Sequence, residues 1–236
     1  MSANDRGTFD AGARPDFWPD FWPGFSPGDW YAIAADHDVI PGHIYRTTLG
    51  GHDLAVWRTR DGTVQIWRDR CPHRGVRLSL GEVAGDELRC QYHAWRFARG
   101  GACTYIPAQP AMKVPGTIHA EVWPAAEAGG LIWSGIDPQG APPALPAGTV
   151  VRALPVARPA AVVAEALAET DWPGLALVVQ PADAQSAIVR GVATDGDCLA
   201  ADRLLRALRR RIEQNGPEQN GGEQDGGEQN GGERGA

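Results

Sequence analysis

Four residues have the types and spacing of metal ligands. Cys71 and His73 lie in CPHRG (71–75), and Cys90 and His93 lie in CQYHAWRF (90–97). The pattern is C-x-H, sixteen residues, then C-x-x-H. Two soft thiolates and two imidazoles on two short loops can close around a metal centre. One outcome is a single tetrahedral zinc. The other is a 2Fe–2S cluster with two Cys on one iron and two His on the other. Zinc sites usually open with two Cys and close with two His, whereas each loop here brings one of each. That distribution suits a cluster whose irons are ligated unlike each other, each loop reaching both.

Such loops need a rigid scaffold, and the surrounding sequence reads as β-structure. WYAIA (30–34), HIYRTTL (43–49), DLAVWRTR (53–60) and TVQIWRD (63–69) are β-prone runs separated by Pro-Gly, Gly-Gly and Asp-Gly turns. Further strands are expected near ELRCQ (87–91), ACTYI (102–106), AEVWP (120–124) and LIWSG (131–135). The 30 Gly and 19 Pro, about a fifth of 236 residues, argue against a helical bundle. The fold class expected is mainly β, an antiparallel domain with two cluster-binding loops, a small α+β segment and a disordered tail.

The two loops resemble the Rieske centres of the ring-hydroxylating oxygenase family. The flanks agree: DWYAIA opens the β region, IWRDRCPHRGVRLSLGEV carries the first loop, GACTYIPAQP follows the second, and GLIWSGIDP closes it. The resemblance covers about residues 29–140. It implies one 2Fe–2S cluster, with Cys71 and Cys90 on one iron and His73 and His93 on the other. Neutral imidazoles are weaker donors than thiolates, so the potential should exceed that of an all-Cys ferredoxin. Pro72 and Gly75 would let backbone amides point at sulfur, and Tyr92 and Trp95 would pack over the cluster. Ala94 stands where the family usually has Gly; a positive φ there would cost about 1 kcal/mol. Cys103 and Cys198 are expected to be buried or partly buried free thiols.

The family's oxygenases also carry a mononuclear iron held by two His and a carboxylate. Beyond the Pro/Ala linker at 141–150 this chain has no histidine, the last being His119. His37, His43, His52 and His119 read as ordinary polar residues, and a mononuclear non-haem iron is not expected. Residues 151–212 read as a small α+β segment: a helix at 159–169, strands at 175–180 and 186–192, and a helix from Asp197 to Gln214. Leu204, Leu205, Leu208 and Ile212 would form that helix's inner face and Arg203, Arg206 and Arg210 a solvated one. The segment weakly resembles the last strands and helix of the oxygenase catalytic domain, as if most of that domain were deleted.

The termini differ from the body. Residues 1–28 form a Pro- and aromatic-rich arm with Phe17, Trp18, Phe21, Trp22 and Phe25, expected to pack on its own domain. Residues 213–236 repeat an acidic Gly-rich pentapeptide and should be disordered. Net charge is −7, mostly from that tail, so nucleic acid is not an expected partner. No membrane span or signal pattern is visible, and a cytoplasmic location is expected. The function expected is single-electron transfer within an oxygenase-type system, from a flavin- or ferredoxin-type reductase to an oxygenase. A terminal oxygenase acting on an aromatic or hydrophobic small molecule is the alternative, and a non-catalytic redox sensor or scaffold the third reading.

Overall fold

Each β-prone run lies between turn residues, and the strands end where those turns require. The computed structural model describes residues 24–214. The arm's Phe17, Trp18, Phe21 and Trp22 and the repeats after Gln214 lie outside the described residues. The first half contains β1 (Tyr31–Ala35), β2 (Ile44–Leu49), β3 (His52–Arg58), β4 (Val64–Arg68), β5 (Glu82–Ala84), β6 (Glu87–Arg89), β7 (Arg96–Ala98) and β8 (Cys103–Tyr105). Then come β9 (Val122–Trp123), β10 (Ala126–Ala128), β11 (Leu131–Ser134), β12 (Thr149–Val150) and β13 (Leu154–Val156). The chain continues with α1 (Ala160–Ala168), β14 (Leu175–Asp183), β15 (Ser186–Ala193) and α2 (Cys198–Gln214). Strand takes 36% and helix 17%, so the fold is mainly β.

All pairings between these strands are antiparallel. The strands form sheets β2-β3-β4-β9, β1-β11-β10 and β5-β6-β7-β8, and a fourth in which β15 pairs with β14 on one side and β12 and β13 on the other. Gly50 and Gly51, both at positive φ, make the two-residue turn that pairs Leu49 with His52. Along β3 successive side chains face opposite ways, and both faces are buried. Leu54 and Val56 join Ile33, Leu49, Ile66 and Ile132 in one core. Ala55 and Trp57 join Trp67, Leu78, Leu88, Phe97 and both loop cysteines in another. The Trp67 ring meets Trp57 edge-on at 5.0 Å and Phe97 at 6.4 Å, bracing the cluster-loop sheet against β3 and β4.

Several expectations need correction. The linker at 141–150 ends in strand β12, which pairs Thr149 with Ala193. The strands at Glu82–Ala84, Arg96–Ala98, Ala126–Ala128 and Leu154–Val156 are too short or too polar to show period-2 patterning. On α2 the inner face is Ala201, Leu205, Leu208 and Ile212; Leu204 is turned outward, because the 4-3-4 spacing excludes it. Cys198 is exposed rather than buried, whereas Cys103 is a buried free thiol. Asp197 caps α2 as expected, accepting hydrogen bonds from the Leu199 and Ala200 backbone N–H groups at 3.1 and 2.9 Å. Within the arm, Phe25 is buried and stacks on Tyr31.

The C-terminal sheet is docked on the first half by buried polar groups. Gln180 donates to Thr47 Oγ1 at 2.9 Å and to the Thr48 carbonyl at 2.7 Å. Arg190, also buried, donates to Gln180 Oε1 at 2.7 Å and to the Tyr45 hydroxyl at 3.3 Å. The turn amides of Gly50 and Gly51 donate to the carbonyls of Pro181 and Ala182. Every buried donor so paired avoids a cost of about 1–3 kcal/mol.

Candidate metal centre

The first loop leaves β4 and the second joins β6 to β7. Both close in the same way. The Cys71 N–H donates to the Val76 carbonyl at 2.8 Å, and the Gly75 N–H donates to the Cys71 carbonyl at 2.8 Å. In the second loop the Cys90 N–H donates to the Trp95 carbonyl at 2.9 Å, and the Ala94 N–H donates to the Cys90 carbonyl at 3.0 Å. The fourth residue after each cysteine has a left-handed backbone, Gly75 at φ 72 and Ala94 at φ 53. Alanine there carries the strain anticipated from the sequence. At the mouth of the first loop, the buried Asp69 carboxylate accepts from the Ser79 N–H at 2.6 Å and from the Ser79 hydroxyl at 2.5 Å.

The two loops bring like with like. Cys71 and Cys90 are both buried in the same core, close enough for each thiol to act on the other. Burial pushes the Cys71 thiol up to about 12; the His73 and Arg74 backbone N–H groups pull it down, and Cys90 pushes it further up. Two such neighbouring thiols become thiolates most readily on a metal. The imidazoles form the second pair, with ring centres 4.7 Å apart. His73 is half-buried and His93 exposed. Lost hydration, then His93 and Arg74, hold His73 below the usual histidine range, which favours the neutral form that ligates.

Trp95 stacks flat on His73, with centres 4.3 Å apart and planes 7° apart. Tyr92 lies against His93 at 3.8 Å but is 55% exposed, so it flanks the histidine instead of shielding the cluster. Among the described residues no three His, Cys, Asp or Glu side chains converge as on one ion. A buried sulfur pair and an outer imidazole pair fit the donor set of a 2Fe–2S cluster with unlike irons. His37, His43, His52 and His119 lie apart from this pair. His52 packs on Trp123, and burial lowers its pKa. Asp69 was not anticipated, because one Asp in RDRC carries no signal that it closes a loop.

A β scaffold with two such loops defines an iron–sulfur protein of the Rieske type, and the comparisons agree. Residues 29–117 match the Rieske [2Fe-2S] domain. Over 118 residues the chain is 42% identical to oxidoreductase NdmD of Pseudomonas putida, covering 50% of this chain and 20% of that protein. It is 32% identical over 114 residues to a probable 3-ketosteroid-9-alpha-monooxygenase oxygenase component of Rhodococcus rhodochrous, covering 48% and 28%. Among solved structures, Pseudomonas putida CBB5 NdmA aligns with a TM-score of 0.67 at 19% identity, over 80% of this chain and 82% of that one. Dicamba monooxygenase bound to dicamba aligns at 0.64 and 18%, over 81% and 87%. These structural likenesses concern the fold. The chain spans less than a third of the length of the curated relatives it matches. Residues 29–117 are a Rieske domain, and its cofactor is a 2Fe–2S cluster. No helix among the described residues is long and apolar enough to cross a membrane.

Proposed function

We propose that this chain carries single electrons in an oxygenase-type redox system. Cys71 and Cys90 hold the inner iron, and His73 and His93 the outer one. The cluster, when bound, accepts and returns one electron at a time. The chain's residues hold it, keep its sulfur side dry and present its histidine side to a partner. The pairing of buried thiols with outward imidazoles on two matched loops carries this reading. The electron donor is a flavin- or ferredoxin-type reductase and the acceptor an oxygenase, chemistry in keeping with the family names above. Residues 29–140 act as the cluster domain, and 151–212 as a small α+β support.

Substitution tests the ligand assignment. Cys71→Ser or His93→Ala should remove the visible absorption of the cluster while leaving a β-rich circular dichroism spectrum. A variant that keeps its colour and unchanged spectrum contradicts the assignment.

A second reading, a terminal oxygenase component, is favoured by one observation. The fold likeness to NdmA covers 80% of this chain, well beyond residues 29–117, so it takes in part of the C-terminal α+β segment. Oxygenase activity needs a mononuclear iron site, and the metal content of the intact protein separates the two readings.

A further inference from the structure

The two cluster loops share a backbone design but differ in the residue that closes them. In the first loop the Val76 carbonyl accepts from the Cys71 N–H at 2.8 Å. In the second the Trp95 carbonyl accepts from the Cys90 N–H at 2.9 Å. Val76 and Trp95 therefore hold equivalent places, and both pack, partly buried, against the core that contains the two cysteines. Their side chains do different things. Valine offers no flat surface. The indole reaches across to the other loop and lies on His73, with centres 4.3 Å apart and planes 7° apart.

The two histidines are thus held unequally. His73 is half-buried and has a parallel ring on it. His93 is exposed, meets His73 at 61°, and touches Tyr92 at 40°. A ligating imidazole can turn about its metal–nitrogen bond, and a hydrogen bond to its other ring nitrogen usually fixes the plane. Among the described residues no hydrogen bond reaches the ring of His73. A parallel aromatic face does the same work, because turning the imidazole drives one edge into the indole and lifts the other off it. Trp95 is itself held in place. Its carbonyl is tied to Cys90, its indole rests on the core, and Ala94 before it has the left-handed φ of 53.

We propose that Trp95 is a positioning residue for His73: the indole sets the plane in which this imidazole meets the outer iron, and it ties the first loop to the second. The inference rests on the cluster reading and adds a residue that acts through a ligand.

Electron–nuclear double resonance on the full-length, cluster-loaded protein, reduced with dithionite, tests it. The experiment reads the coupling of each histidine nitrogen to the reduced centre and, taken across the EPR envelope, the spread of ring orientations. In the parent, one nitrogen should show a clearly narrower spread than the other. Trp95→Leu keeps an apolar side chain but removes the flat face. It should widen the narrow spread to match the other nitrogen and speed loss of iron to a chelator by about tenfold or more. Trp95→Phe restores a flat ring and should keep the parent's spread and rate of iron loss. Tyr92→Leu should change neither. Should Trp95→Leu lose its cluster altogether, the parent's two spreads and the Trp95→Phe protein still decide. Equal spreads in the parent, or a Trp95→Leu protein that keeps the narrow nitrogen, overturn the positioning role and leave the cluster reading standing. Absence of any histidine nitrogen coupled to the reduced centre overturns the ligand assignment itself, and the role of Trp95 with it.

Discussion

At position 94 a single methyl group sets a cost. The two cluster loops share one backbone design, and its fourth residue after cysteine needs a left-handed φ. Gly75 meets that need freely, whereas Ala94 meets it under strain. Ala94→Gly should therefore raise stability by about 1 kcal/mol, or a few degrees in Tm, with the cluster spectrum unchanged. Loss of stability would mean that the Ala94 methyl makes packing contacts worth more than the strain. At this scale the sequence was most informative. The four proposed ligands stand out by residue type and spacing, and the awkward place of Ala94 was implied by the family resemblance, which has Gly there. What could not be read was whether aromatic neighbours cover the cluster. Trp95 lies flat on His73 but Tyr92 stays in solvent, and no spacing rule separates two aromatics three residues apart on a turn.

Among the elements, hairpin turns are tied to one another by charge. Asp61, in the β3–β4 turn, accepts hydrogen bonds from Thr59 Oγ1 at 2.6 Å and from the Thr63 N–H at 3.1 Å. It also pairs with Arg99 in the β7–β8 turn. Arg99 first, then Thr59 and Thr63, hold its carboxyl well below the ordinary carboxylate range. A lowered folded-state pKa contributes stability above the unfolded pKa, near 4, and loses it as pH falls below that value. Asp61→Asn should thus lower Tm at neutral pH, with the gap to the parent narrowing below about pH 4. A gap that is constant from neutral pH to pH 3 would show that the carboxylate's charge contributes nothing. The long strands and both helices were legible because apolar residues recur at period 2 or 3.6 over enough positions. Two- and three-residue strands such as Arg96–Ala98 were not, since three residues cannot display a period.

For the whole molecule, the question is whether the C-terminal α+β segment belongs to the same folded unit as the Rieske domain. The buried chain from Thr47 and Thr48 through Gln180 to Arg190 and Tyr45 says that it does. Gln180→Leu leaves the Arg190 guanidinium short of an acceptor in a buried place, and should cost about 2–3 kcal/mol. Because the network is remote in sequence from both cluster loops, the visible spectrum should not change. Two separated thermal transitions already present in the parent would contradict a single unit. This docking was invisible in the sequence: Thr47 and Gln180 are 133 positions apart, and neither stands in a motif. The β-domain's kind, in contrast, was legible from CPHRG and CQYHAWRF: metal chemistry dictates such residue types and spacing, and the two loops resemble a known family.

We propose that Cys71, His73, Cys90 and His93 hold one binuclear cluster and that the chain works as an electron carrier. Iron and acid-labile sulfide per chain, with EPR after reduction, measured on anaerobically purified full-length protein, test it most directly. Two irons and two sulfides are expected, with a reduced spectrum of the low average g of a histidine-ligated cluster. Zinc without sulfide would contradict the cluster. A third iron without additional sulfide would contradict the carrier assignment and give the oxygenase reading its missing site.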